Sequence, residues 1–361
     1  KEIRTVFHTT AQVPVQSGFG ACALCKAPGT RLMGGECELE GEFDADGRRD
    51  VIISTSRRTD IPAFYAQWFM NRIRQGSCVV VNPFNSSQIY CVDLAPDAVD
   101  AIVFWSKNPA PLIPHLGELD DMGYRYYFQL TICNYPRDIE QYLPPLPERI
   151  ATAVELARRI GPRRVIWRYD PIIISSRTDA QFHRREFASL ASALEGSTTR
   201  VVVSLMDFYG KVERNLVEAL ECQGWEFGRT TGVDEQTREL LRSLCDDALA
   251  HGLEIQSCAE AVDMSDLGIS HGKCIDDDLI RSIWGIEVDG SKDPGQRSAC
   301  GCAPSRDIGA NNTCIHGCRY CYATTSYKAA LNRYAGHDPS SPDLAGRARW
   351  SQAGSAGRRR A

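Results

Sequence analysis

The sequence predicts an α/β fold in which a parallel sheet forms a partial (β/α)6 TIM-like barrel. Short apolar runs of strand length alternate with longer stretches of helical periodicity, which is the pattern of βαβ units. Six strand-like runs fit an open barrel better than the eight strands of a closed one, although a doubly wound open sheet is the alternative. The runs lie at residues 51–56, 101–105, 124–132, 164–169, 200–205 and 253–258.

Helical stretches and one hairpin lie between these runs. A helix is expected over 61–75, with Pro62 near its start. Strand-like runs at 79–83 and 88–92 have the spacing of an inserted hairpin. No G-x-G-x-x-G or P-loop motif occurs, which removes support for binding of dinucleotides or nucleoside triphosphates. The remaining helical stretches are 146–160, 180–194 and 234–251.

Composition excludes several functional classes. Hydrophobic residues make up 43% of the 361 residues, which is enough for a sizeable core. The 41 basic and 46 acidic residues give a formal net charge of -5, which argues against binding of nucleic acid by bulk charge. No apolar run approaches the ~18 residues of a membrane span, and the first residues do not resemble a signal peptide. We therefore expect a cytoplasmic protein without a membrane partner.

Four segments are expected along the chain. They are an N-terminal appendage with cysteines (1–48), the barrel (49–260), a C-terminal segment with grouped cysteines (261–335) and a flexible tail rich in Gly, Ser, Pro and Arg (336–361).

The chain has 15 cysteines, and their grouping in a reducing compartment indicates metal binding more than disulfide formation. Ten of them form groups near the two ends of the chain. The other five are scattered in apolar surroundings and are expected to be buried core residues: Cys78, Cys91, Cys133, Cys222 and Cys245.

Polar residues follow the strand-like runs, where ligands bind in parallel α/β sheets. Arginine or lysine beside an acceptor at three of these ends indicates a shared pocket for a charged ligand. Salt bridging among the same residues is the competing structural interpretation. The candidate catalytic residues are Arg57, Lys107, Arg168, Asp170 and Glu260, and the candidate ligand-binding residues are Arg58, Asp60, Ser106, Asn108, Thr131 and Ser204.

The sharpest signal is a C-x3-C-x2-C spacing formed by Cys314, Cys318 and Cys321. Three thiolates on one tight loop suit three irons of a [4Fe–4S] cluster, and the fourth iron is then open to an outside ligand. Gly317 favours the tight turn, and the ring of Tyr320 is placed to stack on a planar ligand group. A zinc site with His316 or Cys302 as the fourth ligand is the main alternative.

This spacing, with an aromatic residue before the last cysteine, resembles the signature of radical S-adenosylmethionine (SAM) enzymes. In that family the motif follows the first strand, whereas here the loop at 57–60 has no cysteine and the motif comes about 250 residues later. The chain more closely resembles the bacterial DUF1848 family, a radical-SAM-like group. The matching stretches are 53–62, 104–109, 168–171, 258–260, 307–309 and 314–323.

The resemblance implies a partial (β/α)6 barrel and a [4Fe–4S] cluster whose open iron is chelated by SAM, with Tyr320 and the strand-end residues holding the ligands. In the radical SAM family the reduced cluster splits SAM to give a carbon radical that acts on a small substrate. A flavodoxin or ferredoxin is the expected electron donor. The radical is 5′-deoxyadenosyl by default, and the unusual motif position leaves room for 3-amino-3-carboxypropyl transfer to a heteroatom such as arsenic.

Two further cysteine groups are candidate metal sites. Four thiolates near the end of the barrel suit an auxiliary [4Fe–4S] cluster or zinc, namely Cys258, Cys274, Cys300 and Cys302. A C-x2-C pair with a third cysteine suggests zinc or a further cluster near the start, where an unmetallated loop is the alternative: Cys22, Cys25 and Cys37.

The alternative function is a non-catalytic zinc- or iron–sulfur-binding scaffold or sensor. The open coordination position of the motif and the polar strand ends argue against a non-catalytic role. No Ser-His-Asp arrangement is visible, and the histidines in or beside helical stretches are expected at the surface, namely His115, His183 and His251.

Overall fold

The computed structural model describes residues 30–32, 38–39, 51–82, 85, 88–228, 233–346 and 350–352. The strands of this part, numbered in chain order, are β1 Thr30–Leu32, β2 Glu38–Leu39, β3 Val51–Thr55, β4 Ser77–Val81, β5 Ile89–Asp93, β6 Val99–Ser106, β7 Tyr126–Thr131, β8 Val165–Ile172, β9 Arg200–Leu205, β10 Glu254–Cys258, β11 Ser270–Gly272, β12 Arg306–Asp307 and β13 Trp350–Gln352.

The helices lie mostly between the strands of this set. They are α1 Ile61–Phe64, α2 Ala66–Gln75, α3 Leu116–Asp121, α4 Leu146–Ile160, α5 Ala180–Ala193, α6 Gly210–Val212, α7 Ala219–Glu221, α8 Glu235–Ala250, α9 Asp277–Trp284 and α10 Tyr327–Ala335. A π-helical stretch at Glu213–Glu218 joins α6 to α7, and short 3-10 turns occur at Ile113–His115, Pro162–Arg164 and Ser265–Leu267.

Eight strands form one parallel sheet flanked by helices, which confirms the predicted α/β class. Their order is β11-β10-β9-β8-β7-β6-β3-β12, so consecutive strands of the chain lie side by side and β12 returns to the edge at β3. The six predicted strands are β3 and β6 to β10. The two strands that sequence reasoning missed, β11 and β12, have only three and two residues and show no periodicity.

The predicted helices and hairpin are present, with one interruption. Helices α4, α5 and α8 begin and end within one residue of the predicted bounds. The helix predicted over 61–75 is broken at Tyr65 into α1 and α2, and the Asp60 carboxylate caps α1 by accepting a hydrogen bond from the Ala63 N–H. Strands β4 and β5 form the predicted antiparallel hairpin in a separate sheet with β2.

The two faces of the large sheet pack against different parts of the chain. Ile53, Phe104 and Phe128 belong to the main core with residues of the helices. On the opposite face, neighbours along the same strands such as Val103 and Tyr127 pack against residues of the segment 274–303, including α9. Burial on both faces explains why these strands read as continuous apolar runs. It also brings the C-terminal cysteines onto the sheet.

Two predictions about single residues are wrong. Cys222 is exposed because it lies in the turn after α7, whereas the other four predicted core cysteines are buried. His183 is fully buried because both ring nitrogens are satisfied, Nδ1 by the Tyr169 hydroxyl at 2.8 Å and Nε2 by the Ile173 carbonyl at 3.0 Å.

Parts of the sequence prediction lie beyond the described residues, namely Cys22, Cys25, Cys37 and most of the proposed appendage. The four segment boundaries stay predictions. None of the helices in the described part combines the length and apolarity needed to cross a bilayer.

Candidate functional site

A cavity of about 530 Å³ opens at the carboxyl ends of the parallel strands. Its volume falls within the ~300–1,000 Å³ of typical small-molecule sites. Seven cysteines line it: Cys258, Cys274, Cys300 and Cys302, called the thiol quartet below, and Cys314, Cys318 and Cys321 of the motif loop (residues 314–321). Ten of the predicted polar residues also line it: Arg57, Arg58, Asp60, Ser106, Lys107, Thr131, Arg168, Asp170, Ser204 and Tyr320.

Asp307 fastens the C-terminal segment to the loop after β3. Its carboxylate accepts hydrogen bonds from the Ser56 hydroxyl at 2.5 Å, the Arg57 N–H at 3.0 Å and the Arg58 guanidinium at 2.9 Å. Burial opposes ionisation of Asp307, but the Arg58 charge and these hydrogen bonds lower its pKa. Because β12 also pairs with β3, the segment that leads into the motif loop is held at this end of the sheet.

Asp60 is a second attachment point for the motif loop. Its Oδ2 accepts hydrogen bonds from the Lys107 N–H and from His316 Nε2, both at 2.7 Å, and its Oδ1 accepts from the Ser106 hydroxyl at 2.7 Å. Asp60 and His316 are 6% and 2% exposed, so these charge-assisted bonds are buried. His316, considered above as a zinc ligand, therefore anchors the motif loop through Nε2.

The motif loop turns tightly at Gly317, whose φ of +68° lies in the region that favours glycine. A Cβ at this position would overlap the ring of Tyr142. Cys318 forms a β-bridge with Glu140, which adds a backbone contact. Burial raises the pKa of the Cys314 thiol to about 12 and that of Cys318 well above its usual range. Burial therefore disfavours the thiolate form of these two cysteines.

A partly buried ion pair positions Tyr320, the aromatic residue before the last motif cysteine. Lys107 Nζ donates to Glu140 Oε1 at 2.8 Å and to the Tyr320 hydroxyl at 2.7 Å, and that hydroxyl donates in turn to Glu140. Burial opposes ionisation of Glu140, but the charges of Lys107 and Arg149 outweigh it and lower the pKa. The orientation of the Tyr320 ring thus depends on this pair.

Arg168 and Asp170 form a second, partly buried pair at the end of β8. Arg168 donates to Asp170 Oδ2 from Nε at 3.0 Å and from Nη2 at 2.5 Å, while the Ser204 hydroxyl donates to the same carboxylate. The remaining Arg168 nitrogen, Nη1, donates to Cys274 Sγ at 2.7 Å. Pairing within the protein therefore engages three of the predicted candidates and connects them to the thiol quartet.

Arg57 differs from the other charged candidates. Its guanidinium carbon lies 5.1 Å from the ring centroid of Trp105, and the Arg168 guanidinium lies 5.2 Å from the same centroid. Arg57 Nη2 is buried and has no hydrogen-bond partner among the residues that the structure describes. The cavity wall thus holds a cation with a free donor, which an anionic group would satisfy.

The thiol quartet is assembled from three segments. The Cys258 and Cys274 sulfurs lie 3.1 Å apart. Cys302 Sγ accepts hydrogen bonds from the N–H groups of Cys274 at 3.3 Å and Ile275 at 3.4 Å. Hydrogen bonding with the Cys274 thiol, together with the nearby Arg168 charge, lowers the pKa of Cys258. Hydrogen bonding with neighbouring thiols raises the pKa values of Cys274 and Cys300 and lowers that of Cys302, so thiolate character is concentrated on Cys258 and Cys302.

Two predicted residues do not line the cavity. Asn108 Oδ1 accepts a long hydrogen bond from the Ala110 N–H at 3.4 Å, within the turn after β6. Glu260 Oε1 accepts from the Leu205 N–H at 2.7 Å, and burial raises its pKa to about 7.

Sequence reasoning missed three residues that shape the site. Trp105 immediately precedes the strand-end residue Ser106, and that position is the signal that points to it. Asp307 lies in a two-residue strand and Glu140 in the loop between β7 and α4, where no strand-end pattern marks them.

The chain matches one protein-family model, described as Domain of unknown function (DUF1848), over residues 52–323. A comparison with curated proteins found no match. The family match covers more than half of the chain and includes the thiol quartet, the motif loop and the strand-end residues around the cavity.

Proposed function

We propose that this chain, which belongs to the DUF1848 family, is a radical SAM enzyme. Cys314, Cys318 and Cys321 hold a [4Fe–4S] cluster at the cavity, SAM binds its open iron, and a small molecule is the substrate. When reduced by a donor of the flavodoxin or ferredoxin class, such a cluster supplies the electron that cleaves a sulfur–carbon bond of SAM and leaves a carbon radical to attack the substrate.

The observation that supports this proposal best is the position of the three motif thiols. They line the same cavity as the polar ends of the strands, although the motif follows those strands in the chain. Contacts with Asp307, Asp60 and Glu140 hold the segment there. A cluster on this loop would therefore face a ligand bound at the strand ends, where parallel α/β proteins place their active sites.

The spacing of the thiols favours a cluster over zinc. Thiolates about 2.3 Å from a tetrahedral Zn²⁺ lie about 3.8 Å from one another. Among the described residues, the only group of three or more possible ligand atoms within 4.8 Å of one another consists of carboxylates, from Asp276, Asp277 and Asp278. The three motif sulfurs therefore do not all lie within 4.8 Å of one another, so at least one pair is more widely spaced than in a tetrahedral zinc site. A cluster binds each thiolate on a different iron and so suits this wider spacing.

We also infer that the large sheet is a partial (β/α)6 barrel. Support comes from the strand order, in which β3 and β6 to β10 lie side by side in chain order, as in a barrel wall. Helices α2, α4, α5 and α8 pack on one face, and the segment 274–303, with α9, packs on the other, where the interior of a barrel would be.

The chain's own residues would position the ligands and keep water out. Tyr320 presents an aromatic ring beside the motif for stacking on a planar group. Thr131 and Asp170 offer a hydroxyl and a carboxylate to ribose hydroxyls or to an ammonium group. Leu205 and Met206 add apolar surface to the cavity wall, which favours exclusion of water from a reactive intermediate.

The test is anaerobic reconstitution followed by product analysis. We expect iron and sulfide in the protein and, after incubation with SAM and dithionite, either 5′-deoxyadenosine or methylthioadenosine, which identify the sulfur–carbon bond that breaks. Cys318→Ala should abolish both products, whereas the exposed Cys222→Ser serves as the matched cysteine control and should leave them unchanged. Zinc without iron, or undiminished cleavage by Cys318→Ala, would contradict the proposal and favour a non-catalytic scaffold.

A further inference from the structure

We infer that the thiol quartet holds a second iron–sulfur centre of the [4Fe–4S] type, placed on the same cavity as the motif loop and balanced in charge by Arg57 and Arg168. The inference deepens the proposed function by adding a second centre to its cavity. It depends on the geometry of Cys258, Cys274, Cys300 and Cys302 and not on which bond of SAM breaks.

The first argument is that the fold holds the cysteine-bearing segments in place. The Tyr127 hydroxyl and the Gln129 side-chain amide donate to the Cys274 carbonyl at 2.7 and 2.9 Å, which fixes this segment to β7. The Ala303 N–H donates to the Ile275 carbonyl at 3.1 Å, which joins the Cys302 segment to it. Cys258 is the last residue of β10.

The second argument is the surroundings of the sulfur atoms. Cys274 Sγ accepts a hydrogen bond from Arg168 at 2.7 Å, and Cys302 Sγ accepts two from backbone N–H groups. Hydrogen bonds to the cysteine sulfurs are among the features that set the properties of protein-bound iron–sulfur clusters. A core cysteine that acts only as a small hydrophobic residue does not need them.

The third argument is charge. A [4Fe–4S] cluster with four thiolates carries about two negative charges, which would be costly to bury without compensation. Two guanidinium groups, Arg57 and Arg168, lie on Trp105 beside the quartet. Arg168 is also paired with Asp170, whereas Arg57 retains a buried donor without a partner among the described residues. A cluster at the quartet would therefore supply the anionic partner that the Arg57 guanidinium lacks.

The distance between two of the quartet sulfurs argues against a disulfide. The Cys258–Cys274 separation of 3.1 Å is longer than the S–S bond of a disulfide, which is about 2.05 Å. A zinc ion would hold the four sulfurs about 3.8 Å apart, and the iron and zinc contents measured below distinguish it from a cluster.

The first experiment counts iron in two complementary variants of the full-length chain, reconstituted anaerobically. The wild type should bind about eight iron atoms, and the triple variant Cys314→Ala, Cys318→Ala, Cys321→Ala should keep about four. Cys274→Ala should also keep about four, in a cluster whose EPR spectrum still responds to SAM. That response would show that the variant is folded.

Any of three results would overturn the inference. They are a triple variant that binds no iron, a Cys274→Ala variant with the iron content of the wild type, and a wild type in which zinc replaces half of the iron. Failure of the proposed function has a different signature, namely a triple variant with about four iron atoms beside a wild type that does not cleave SAM.

The second experiment tests the role of Arg57 in the triple variant, without SAM. Arg57→Gln should lower the midpoint potential of the remaining cluster, because removal of a nearby positive charge disfavours the more negative reduced state. Arg57→Lys keeps the charge and should largely restore the potential. Equal midpoint potentials in the triple variant and in its Arg57→Gln and Arg57→Lys derivatives would refute the claim that Arg57 balances the charge of the cluster.

Discussion

The motif loop and the thiol quartet line one cavity but are held there by different forces. The loop depends on charged side chains from elsewhere in the chain, chiefly Asp60 and Asp307. The quartet belongs largely to the core on one face of the sheet, where Cys274, Cys300 and Cys302 are buried. Single polar substitutions should therefore displace the loop, whereas the quartet should tolerate the loss of any one hydrogen bond.

Asp307→Ala should have the largest effect because this residue holds the segment that precedes the loop. Its removal leaves the Arg58 guanidinium without its carboxylate partner and should cost about 3 kcal/mol of unfolding free energy. We expect loss of motif-loop iron and of SAM cleavage, measured by iron analysis, product assay and urea denaturation. Asp266→Ala removes a more exposed partner, from Arg238, and should cost less than about 1 kcal/mol. Equal effects of the two substitutions would contradict the assigned role.

Lys107→Met should disturb the loop and leave the quartet intact. It buries the Glu140 carboxylate without its closest cation, since Arg149 is 4.0 Å away, and should destabilise the protein by about 2 kcal/mol. SAM cleavage should fall at least about tenfold because the Tyr320 hydroxyl loses one of its two hydrogen-bond partners and Glu140 loses the cation that fixes its position. The double variant Lys107→Met, Glu140→Gln should recover most of the stability without recovering the activity. Wild-type activity in either variant would show that this network does not position Tyr320.

Gly317 lies in the motif loop, and Gly301 lies between Cys300 and Cys302 of the quartet. Substitution of these two glycines provides a matched comparison. Gly317→Ala places a Cβ at φ +68° and against Tyr142, so it should cost about 1–2 kcal/mol and remove about four iron atoms. Gly301→Ala meets its nearest atom at 3.5 Å, an ordinary contact, and should keep full iron content. The measurement is the iron content of the two variants. A greater loss of iron from Gly301→Ala than from Gly317→Ala would contradict the claim that the motif loop is the more sensitive group.

Tyr127→Phe should have the smallest effect and tests the tolerance of the quartet. It removes the hydroxyl that donates to the Cys274 carbonyl and accepts from the Asp276 N–H at 3.0 Å. Because Gln129 still donates to that carbonyl, we expect a loss of about 1 kcal/mol and unchanged iron content. Complete loss of quartet iron would show that this group is as fragile as the loop.

The parts of the fold that could be predicted from sequence are those encoded locally. The strands β3 and β6 to β10 carry apolar runs, and the motif loop carries its spacing within eight residues, so both were found. Strands β11 and β12 form because their neighbours in the sheet pair with them, and two or three residues show no pattern of their own.

The site could be predicted only in part for the same reason. Strand ends pointed to residues such as Lys107 and Arg168, but their partners Glu140 and Cys274 come from distant segments that only the fold brings near. Asp307 lies in one of the stretches that match the family, but its role as an anchor depends on the pairing of β12 with β3. Cys222 sits in a turn, where an apolar neighbourhood in sequence did not mean burial.

The most direct test of the central claim is the EPR spectrum of the dithionite-reduced protein recorded with and without SAM. If Cys314, Cys318 and Cys321 hold a cluster with an open iron, SAM should change the g values of one reduced [4Fe–4S] signal in the wild type and should change nothing in Cys318→Ala. A wild-type spectrum without a cluster signal, or one that SAM leaves unaltered, would contradict the account.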